Sequence, residues 1–147
     1  MGQLHSQPRG ERAQRDLRGE IQDLLNTIAR AITAGDGDAV AKLYEVPAFV
    51  LGDTMAMPIT ETAEVAKFYG AGKAEYNKRG IADTRADIVD IEKLGDKTIQ
   101  VAVRWPYLDD KGKEIGGEKS DYILRRDDAG KLRVRAVLMR GEEKKHS

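Results

Sequence analysis

The chain has 147 residues, with 25 basic and 25 acidic side chains and no cysteine. This length is typical of one domain with its own hydrophobic core, and the balanced charge argues against a nucleic-acid-binding protein, which normally carries a basic excess. Disulfides and thiolate chemistry are excluded, and the two histidines, His5 and His146, lie in the two tails. We therefore expect no metal site, no cofactor and no histidine catalyst, unless a tail folds back over the domain.

The ends of the chain are polar, and we predict a disordered N-terminal tail over residues 1–11, one domain over 12–141 and a polar C-terminal tail over 142–147. No apolar run approaches the roughly 20 residues that span a bilayer, and no signal peptide is recognisable, so we expect a cytoplasmic protein without a membrane partner. The start MGQLHS fits the N-myristoylation pattern. We interpret the match as coincidental, because a single acyl chain anchors weakly and no polybasic segment supports it.

Three helices are predicted in the first half of the chain. The first begins near Arg12 and ends at Gly35, and its apolar residues recur at steps of three and four on one face. These residues are Leu17, Ile21, Leu24, Leu25, Ile28 and Ile32. Asp36 is the predicted N-cap of a short second helix, whose inward face is Val40, Leu43 and Tyr44. Thr60 is the predicted cap of a third helix that ends at Gly80 and carries Val65, Phe68, Tyr69 and Tyr76 on one side.

Between the second and third helices the pattern indicates a small hairpin. Pro47 cannot continue a helix, and the chain proceeds as an extended run over 46–51, a turn at Gly52 and Asp53, and a second extended piece over 54–59. Asp53 is the candidate catalytic carboxylate, since the turn would lie near the mouth of a pocket. The alternative is a plain turn, because Gly-Asp is a common turn pair.

The second half of the chain favours strands. Four extended runs, at about 81–93, 97–108, 114–126 and 131–140, are joined by short turns, which predicts an antiparallel meander. In the second run the apolar face is Ile99, Val101, Val103, Trp105 and Tyr107. The apolar phase slips between Ile88 and Val89, as a β-bulge would cause. In the last run we assign Leu132, Val134, Ala136 and Leu138 to one face, and Arg133 and Arg135 to the other.

This order of elements resembles the nuclear-transport-factor-2-like superfamily, which includes SnoaL-like and ketosteroid-isomerase-like proteins. The local signs are AGDGDAVAKLYEVPAFVLGD (34–53), the capped helix from Thr60, and YILRRDDAGKLRVRAVL (122–138) as the final hairpin. The resemblance extends over about residues 12–140. It implies an α+β, cone-shaped fold in which three helices pack on a strongly curved antiparallel sheet. Because this fold supports enzymes, binding proteins and dimerisation modules, it leaves the function open.

The aromatic residues and methionines suggest a pocket inside the cone. The candidate ligand-binding residues are Tyr44, Phe49, Met55, Met57, Phe68, Tyr69, Trp105, Tyr107 and Tyr122. An apolar pocket with a few phenol groups is typical of small-molecule sites, whereas the alternative is that these side chains only fill the core. Pro106 interrupts the strand pattern between Trp105 and Tyr107, which favours a position at the rim.

Three functions fit this pattern. The preferred one is binding of an apolar or aromatic small molecule without proven catalysis. The second is an isomerase, cyclase or dehydratase that uses a carboxylate and tyrosines, as ketosteroid-isomerase-like enzymes do. The acids that could reach a pocket are Asp53, Asp87, Asp90 and Asp121. Of these, Asp87 and Asp121 alternate with inward residues, so we expect them to face away from the helices.

The third function is homodimerisation through the outer face of the sheet. The strand register assigns to this face Gln100, Arg104, Asp121, Arg125, Arg133 and Arg135. A polar dimer interface and a solvated face with cross-strand ion pairs explain this set equally well.

Overall fold

The computed structural model describes residues 9–143, with side chains from residue 12 onward. The myristoylation pattern, both histidines and the ends of the two predicted tails lie outside these residues. The helices are α1 (Arg9–Ala34), α2 (Gly37–Ala41), α3 (Thr62–Gly70) and α4 (Gly72–Lys78). The strands are β1 (Tyr44–Gly52), β2 (Met55–Ile59), β3 (Asp83–Thr84), β4 (Asp87–Lys93), β5 (Thr98–Leu108), β6 (Glu114–Arg126) and β7 (Leu132–Glu143).

Helix α1 packs its predicted apolar face on the sheet. Ile21, Leu25 and Ile28 are fully buried, and each such side chain contributes roughly 1.5–3 kcal/mol by leaving water. The helix begins at Arg9, three residues before the predicted start and within the segment predicted as a tail. It ends before Gly35, which has the left-handed φ of 73° predicted for this position. None of the helices in the described part of the chain is long and apolar enough to cross a membrane.

The segment predicted as one third helix forms two, α3 and α4, which meet at Ala71 between two glycines. The N-cap of α3 is Glu61 and not Thr60, and it forms a capping box with Glu64. Thr60 contributes differently, because its backbone N–H and hydroxyl both donate to the Glu64 carboxylate, at 3.0 and 3.1 Å. Tyr44 also differs from the prediction, since α2 ends at Ala41 and Tyr44 is the first residue of β1.

Helix α2 touches α3 through backbone alone at Gly37. A Cβ on Gly37 would lie 1.8 Å from the Ala66 carbonyl oxygen, so only glycine fits the contact. This approach fixes α2 over α3 and sets where the chain enters β1.

The sheet has the strand order β2-β1-β7-β6-β5-β3, with β4 also paired to β5. The antiparallel meander from β4 to β7 is confirmed, and the predicted hairpin of β1 and β2 joins its far edge through a parallel pairing of β1 with β7. The first predicted run is divided into β3 and β4, which pair with different parts of β5. The predicted bulge is confirmed as a register shift between Ile88 and Asp90.

One prediction for β7 is wrong. A register shift between β6 and β7 reverses the phase of β7 beyond Arg135, so Ala136 and Leu138 turn to the outer face and Val137 to the inner one. Strand β7 also continues to Glu143, into the segment predicted as a C-terminal tail. By contrast, the β5 row from Ile99 to Tyr107 is buried as predicted. The result is an α+β fold with a curved sheet whose inner face is covered by helices.

Candidate functional site

A small cavity of about 60 Å³ remains between the inner face of the sheet and α3. Four aromatic side chains border it: Phe68, Tyr69, Trp105 and Tyr122. Aliphatic side chains complete its apolar wall, among them Val50 and Val137. Its lining also includes Lys119 and Met139, which are exposed, so the cavity approaches the surface near the β6–β7 pair.

Strand β6 supplies the polar side of the cavity. Glu118, Ser120 and Tyr122 follow each other at steps of two, which places all three side chains on the inner face of the strand. Trp105 is across the ladder on β5, and its Nε1 donates a 2.8 Å hydrogen bond to Ser120 Oγ. The indole ring is therefore held in one orientation at the edge of the cavity.

Three phenols form a chain behind the cavity. The hydroxyls of Tyr44 and Tyr69 are 2.5 Å apart, and those of Tyr69 and Tyr122 are 3.4 Å apart. Burial raises the pKa of all three, and hydrogen bonds from Tyr122 and Tyr44 only partly offset this for the pKa of Tyr69. The phenols are thus neutral hydroxyls, able to donate and accept hydrogen bonds.

Glu118 is the one acidic side chain among the cavity-lining residues of the described chain, and it is half-buried. Burial raises the pKa of its carboxyl, and the nearby charge of Glu142 adds to this. A hydrogen bond with Tyr107 and the charge of Arg79 act in the opposite direction but do not cancel it. Burial thus makes the Glu118 carboxyl hold its proton more tightly than a carboxyl in water. A carboxyl of this kind beside phenols has the properties of an acid–base group.

A second apolar cluster closes the end of the fold beside Glu118. It consists of Tyr76, Ile81 and Tyr107, and the rings of the two tyrosines meet edge-on with centroids 5.6 Å apart. The Arg79 guanidinium lies 4.9 Å from the centre of the Tyr107 ring and pairs with Glu142 at 2.9 Å. Burial and the charge of Glu118 raise the pKa of both tyrosines.

The model of a family described as NTF2-like protein (DUF6841) matches residues 19–142, which include every helix but the first turns of α1 and all but the last residue of the sheet. The chain belongs to this NTF2-like family. No protein with a curated description matches it.

Solved structures of other NTF2-like proteins share the fold at low sequence identity. One from Novosphingobium aromaticivorans with a cystatin-like fold superposes with a TM-score of 0.64 at 13% identity, over 92% of this chain and 90% of the other. An NTF2-like protein from Shewanella oneidensis superposes with a TM-score of 0.63 at 16% identity, over 84% of this chain and 98% of the other. A ketosteroid isomerase-like protein from Erwinia carotovora atroseptica superposes with a TM-score of 0.60 at 13% identity, over 83% of this chain and 93% of the other. Identities this low support the fold alone.

In this NTF2-like chain the predicted pocket residues are distributed over several environments. Phe68, Tyr69, Trp105 and Tyr122 line the cavity. Tyr44 is behind it in the phenol chain, and Tyr107 contacts Glu118 at its end. Phe49 lies on the outer face and is 47% exposed, so it does not belong to the interior. Met55 and Met57 are half-buried at the hairpin, and Asp53 is exposed in its turn, outside the residues that line the cavity.

Glu118 and Ser120 are the two inward-facing polar residues of the cavity lining that the sequence analysis missed. The signal was present in the phase of β6, because both residues precede Tyr122 by even steps. The segment GGEKS has no apolar alternation of its own, so nothing in it indicated an inner face. Two acids that the sequence suggested as pocket carboxylates do not line the cavity. Asp87 pairs with Arg85, and Asp121 contacts Gln100 and Arg140 on the outer face of the sheet. Within the described residues, no group of three or more acidic, histidine or cysteine side chains could hold a metal ion.

The outer-face arginines of the NTF2-like sheet are engaged in cross-strand ion pairs. Arg104 pairs with Glu114 at 2.5 Å and with Glu143 at 2.6 Å, and Arg135 pairs with Glu45 at 2.8 Å. The hydrogen bond with Glu114 raises the pKa of Arg104. The solvated-face interpretation accounts for these contacts, but not for Asp121, which is buried and whose Oδ1 has no hydrogen-bond partner within residues 9–143.

Proposed function

We propose that the protein binds a small organic molecule in the cavity between the sheet and α3. The single observation that supports this proposal is unfilled space bordered by four aromatic rings on one side and by a carboxyl and a hydroxyl on the other. A few polar groups in an apolar lining orient a ligand, and the apolar surface supplies most of its affinity.

The size of the cavity limits the ligand. Pockets for drug-sized molecules have volumes of roughly 300–1,000 Å³, whereas this cavity has about 60 Å³. A water molecule occupies about 30 Å³ of liquid, so a ligand of only a few heavy atoms fits without movement of the lining. The aromatic ligand expected from the sequence would require Met139 or Phe68 to move aside.

Trp105 provides the test, because it is the only tryptophan of the chain and borders the cavity. A panel of molecules with about three to six heavy atoms is titrated while Trp105 fluorescence and thermal unfolding are recorded. We expect saturable changes in both for at least one member of the panel. Met139→Phe, which adds volume at the exposed edge of the lining, serves as the matched variant and should weaken that response. A panel without any response in the wild type would contradict the proposal.

A second candidate is acid–base catalysis, supported by the Glu118 carboxyl and the Tyr122 phenol, which line the same cavity. In this scheme Glu118 takes a proton from the carbon next to a carbonyl group, and a neutral phenol such as Tyr122 donates a hydrogen bond to the carbonyl oxygen. The test is exchange of the α-hydrogens of 2-butanone in D₂O, followed by NMR. Exchange that exceeds the buffer rate and is lost in Glu118→Gln supports catalysis, and exchange at the buffer rate contradicts it.

A third candidate is homodimerisation through the outer face, supported by Asp121 Oδ1, which has no hydrogen-bond partner among the described residues. The same outer face carries exposed apolar side chains on β1, with Phe49 at 47% and Leu51 at 41%. The same face carries arginines such as Arg125, so a second copy could supply the missing donor in a self-complementary contact. Light scattering should give a dimer for the wild type and a monomer for Phe49→Glu, with the exposed turn variant Leu94→Glu as control. A wild type that is monomeric at high concentration contradicts this proposal.

A further inference from the structure

Glu118 is an acid without an ion-pair partner in a neighbourhood whose cations are already engaged. Within the described residues no cationic nitrogen lies within 4 Å of its carboxylate. Two cations of this neighbourhood are paired with other carboxylates, Arg79 with Glu142 at 2.9 Å and Lys119 with Glu143 at 3.4 Å. A half-buried carboxylate without a counter-ion is unfavourable, and a bound cation would relieve that cost.

The other titratable and charged groups around Glu118 leave this site negative. They are Tyr69 of α3, Tyr76 of α4, Arg79 after α4, Tyr107 of β5, Lys119 and Tyr122 of β6, and Glu142 of β7. The four phenols are neutral because burial raises their pKa values. The two cations face two carboxylates of β7, so Glu118 remains as the uncompensated charge.

The aromatic rings of the cavity favour a cation as well. Phe68, Tyr69, Trp105 and Tyr122 line the same space, and the centroids of the Trp105 and Tyr122 rings are 6.0 Å apart. A ring face attracts a positive charge, and more strongly when the site is desolvated. The alkyl part of such a ligand would bury its surface against the same rings.

We propose that the cavity binds a small alkylammonium ion, with the ammonium group on the Glu118 carboxylate and the alkyl group against Trp105 and Phe68. This inference rests on the proposed small-molecule site and assigns its ligand class. The about 60 Å³ of free space limits the alkyl group to a few carbons. A carboxylate of the same size would be repelled by Glu118, and an alcohol would bind without the charge contribution.

Binding of this ligand depends on pH in a defined direction. Burial raises the pKa of Glu118, whereas an alkylamine stays protonated up to about pH 10, as a lysine side chain does. Ammonium binding requires the ionised carboxylate, so affinity should rise with pH through the Glu118 pKa and then level off. A neutral ligand that accepts a hydrogen bond from the protonated carboxyl would show the opposite trend.

The experiment compares n-propylammonium, 1-propanol and propionate at constant ionic strength, with Trp105 fluorescence and calorimetry as readouts. We expect the ammonium ion to bind most tightly, and we expect Glu118→Gln to weaken ammonium binding by about tenfold or more, a larger factor than for 1-propanol. Glu92→Gln removes the same charge from an exposed strand position and should keep the wild-type affinity. Equal binding of ammonium and alcohol, or full ammonium affinity in Glu118→Gln, would overturn the inference while the cavity proposal stands. No binding of any of the three would overturn the inference and count against the cavity site itself.

Discussion

Trp105 Nε1 donates a 2.8 Å hydrogen bond to Ser120 Oγ, and this bond joins β5 to β6 at the wall of the cavity. Both side chains are buried, so neither group has water as an alternative partner. The bond holds the indole ring beside the free space instead of allowing it to rotate inward and fill that space. The wall of the cavity therefore contains a buried polar contact, in addition to the phenol chain behind it.

Ser120→Ala should destabilise the protein by about 1–3 kcal/mol, because it leaves the buried indole N–H without a partner. The free energy of unfolding is measured in urea with Trp105 fluorescence. Thr33→Ala is the control, since that hydroxyl bonds only to carbonyl groups of its own helix and its loss should change stability by less than about 0.5 kcal/mol. Equal stability of Ser120→Ala and the wild type would show that the hydrogen bond does not fix the ring.

Glu118→Gln should stabilise the protein increasingly as the pH rises. Burial raises the pKa of Glu118 above the unfolded value of about 4.3, so the folded state holds the proton more tightly than the unfolded chain. The wild-type free energy of unfolding therefore falls between the unfolded and the folded pKa, and the glutamine variant lacks this loss. Urea unfolding of both proteins from pH 4 to pH 8 tests this. A difference that does not change with pH, or changes with the opposite sign, would show that Glu118 is not desolvated.

Tyr69→Phe should cost more stability than Tyr122→Phe. The Tyr69 hydroxyl contacts both of its neighbours, at 2.5 Å and 3.4 Å, so its removal leaves two buried phenols without this partner. We expect a loss of about 1–3 kcal/mol for Tyr69→Phe and about 1 kcal/mol or less for Tyr122→Phe, whose single contact is long. Thermal and urea unfolding give both values. A larger loss of stability for Tyr122→Phe than for Tyr69→Phe would show that Tyr69 is not the central hydroxyl of the phenol chain.

Gly37→Ala should be among the most destabilising small substitutions in the chain. The new Cβ would lie 1.8 Å from the Ala66 carbonyl oxygen, so α2 must move away from α3, at a cost of about 2 kcal/mol or more. Gly19→Ala is the matched control, because nothing lies within 4 Å of that Cβ on α1. It should stabilise the helix by about 0.5–1 kcal/mol. Similar effects of the two substitutions on the melting temperature would contradict the close contact of α2 with α3.

The sequence predicted those parts of the fold that rest on local periodicity. The α1 face from Leu17 to Ile32, the β5 row and the bulge after Ile88 each produce a phase that can be followed along the chain. The parallel pairing of β1 with β7 has no such signal, because it joins segments about ninety residues apart. The phase reversal of β7 near Arg135 also has no signal in the sequence, because apolar residues continue on both sides of the register shift.

The site was predicted only in its apolar half. Aromatic residues on a buried face, such as Trp105 and Tyr122, are visible from sequence because they also build the core. The inward position of Glu118 is not visible from the sequence, because a charged residue after two glycines is typical of an exposed turn. Its position depends on the register of β6 against β5, where it lies opposite Trp105, and register is a tertiary property.

The proposed binding site requires free space beside Trp105, and a crystal of the wild type under xenon pressure tests this most directly, because xenon enters apolar cavities without needing a polar partner. We predict one xenon atom between Trp105, Phe68 and Val137, with the Trp105–Ser120 hydrogen bond intact. A map in which these side chains fill the space, with no xenon between them, would contradict the proposed binding site.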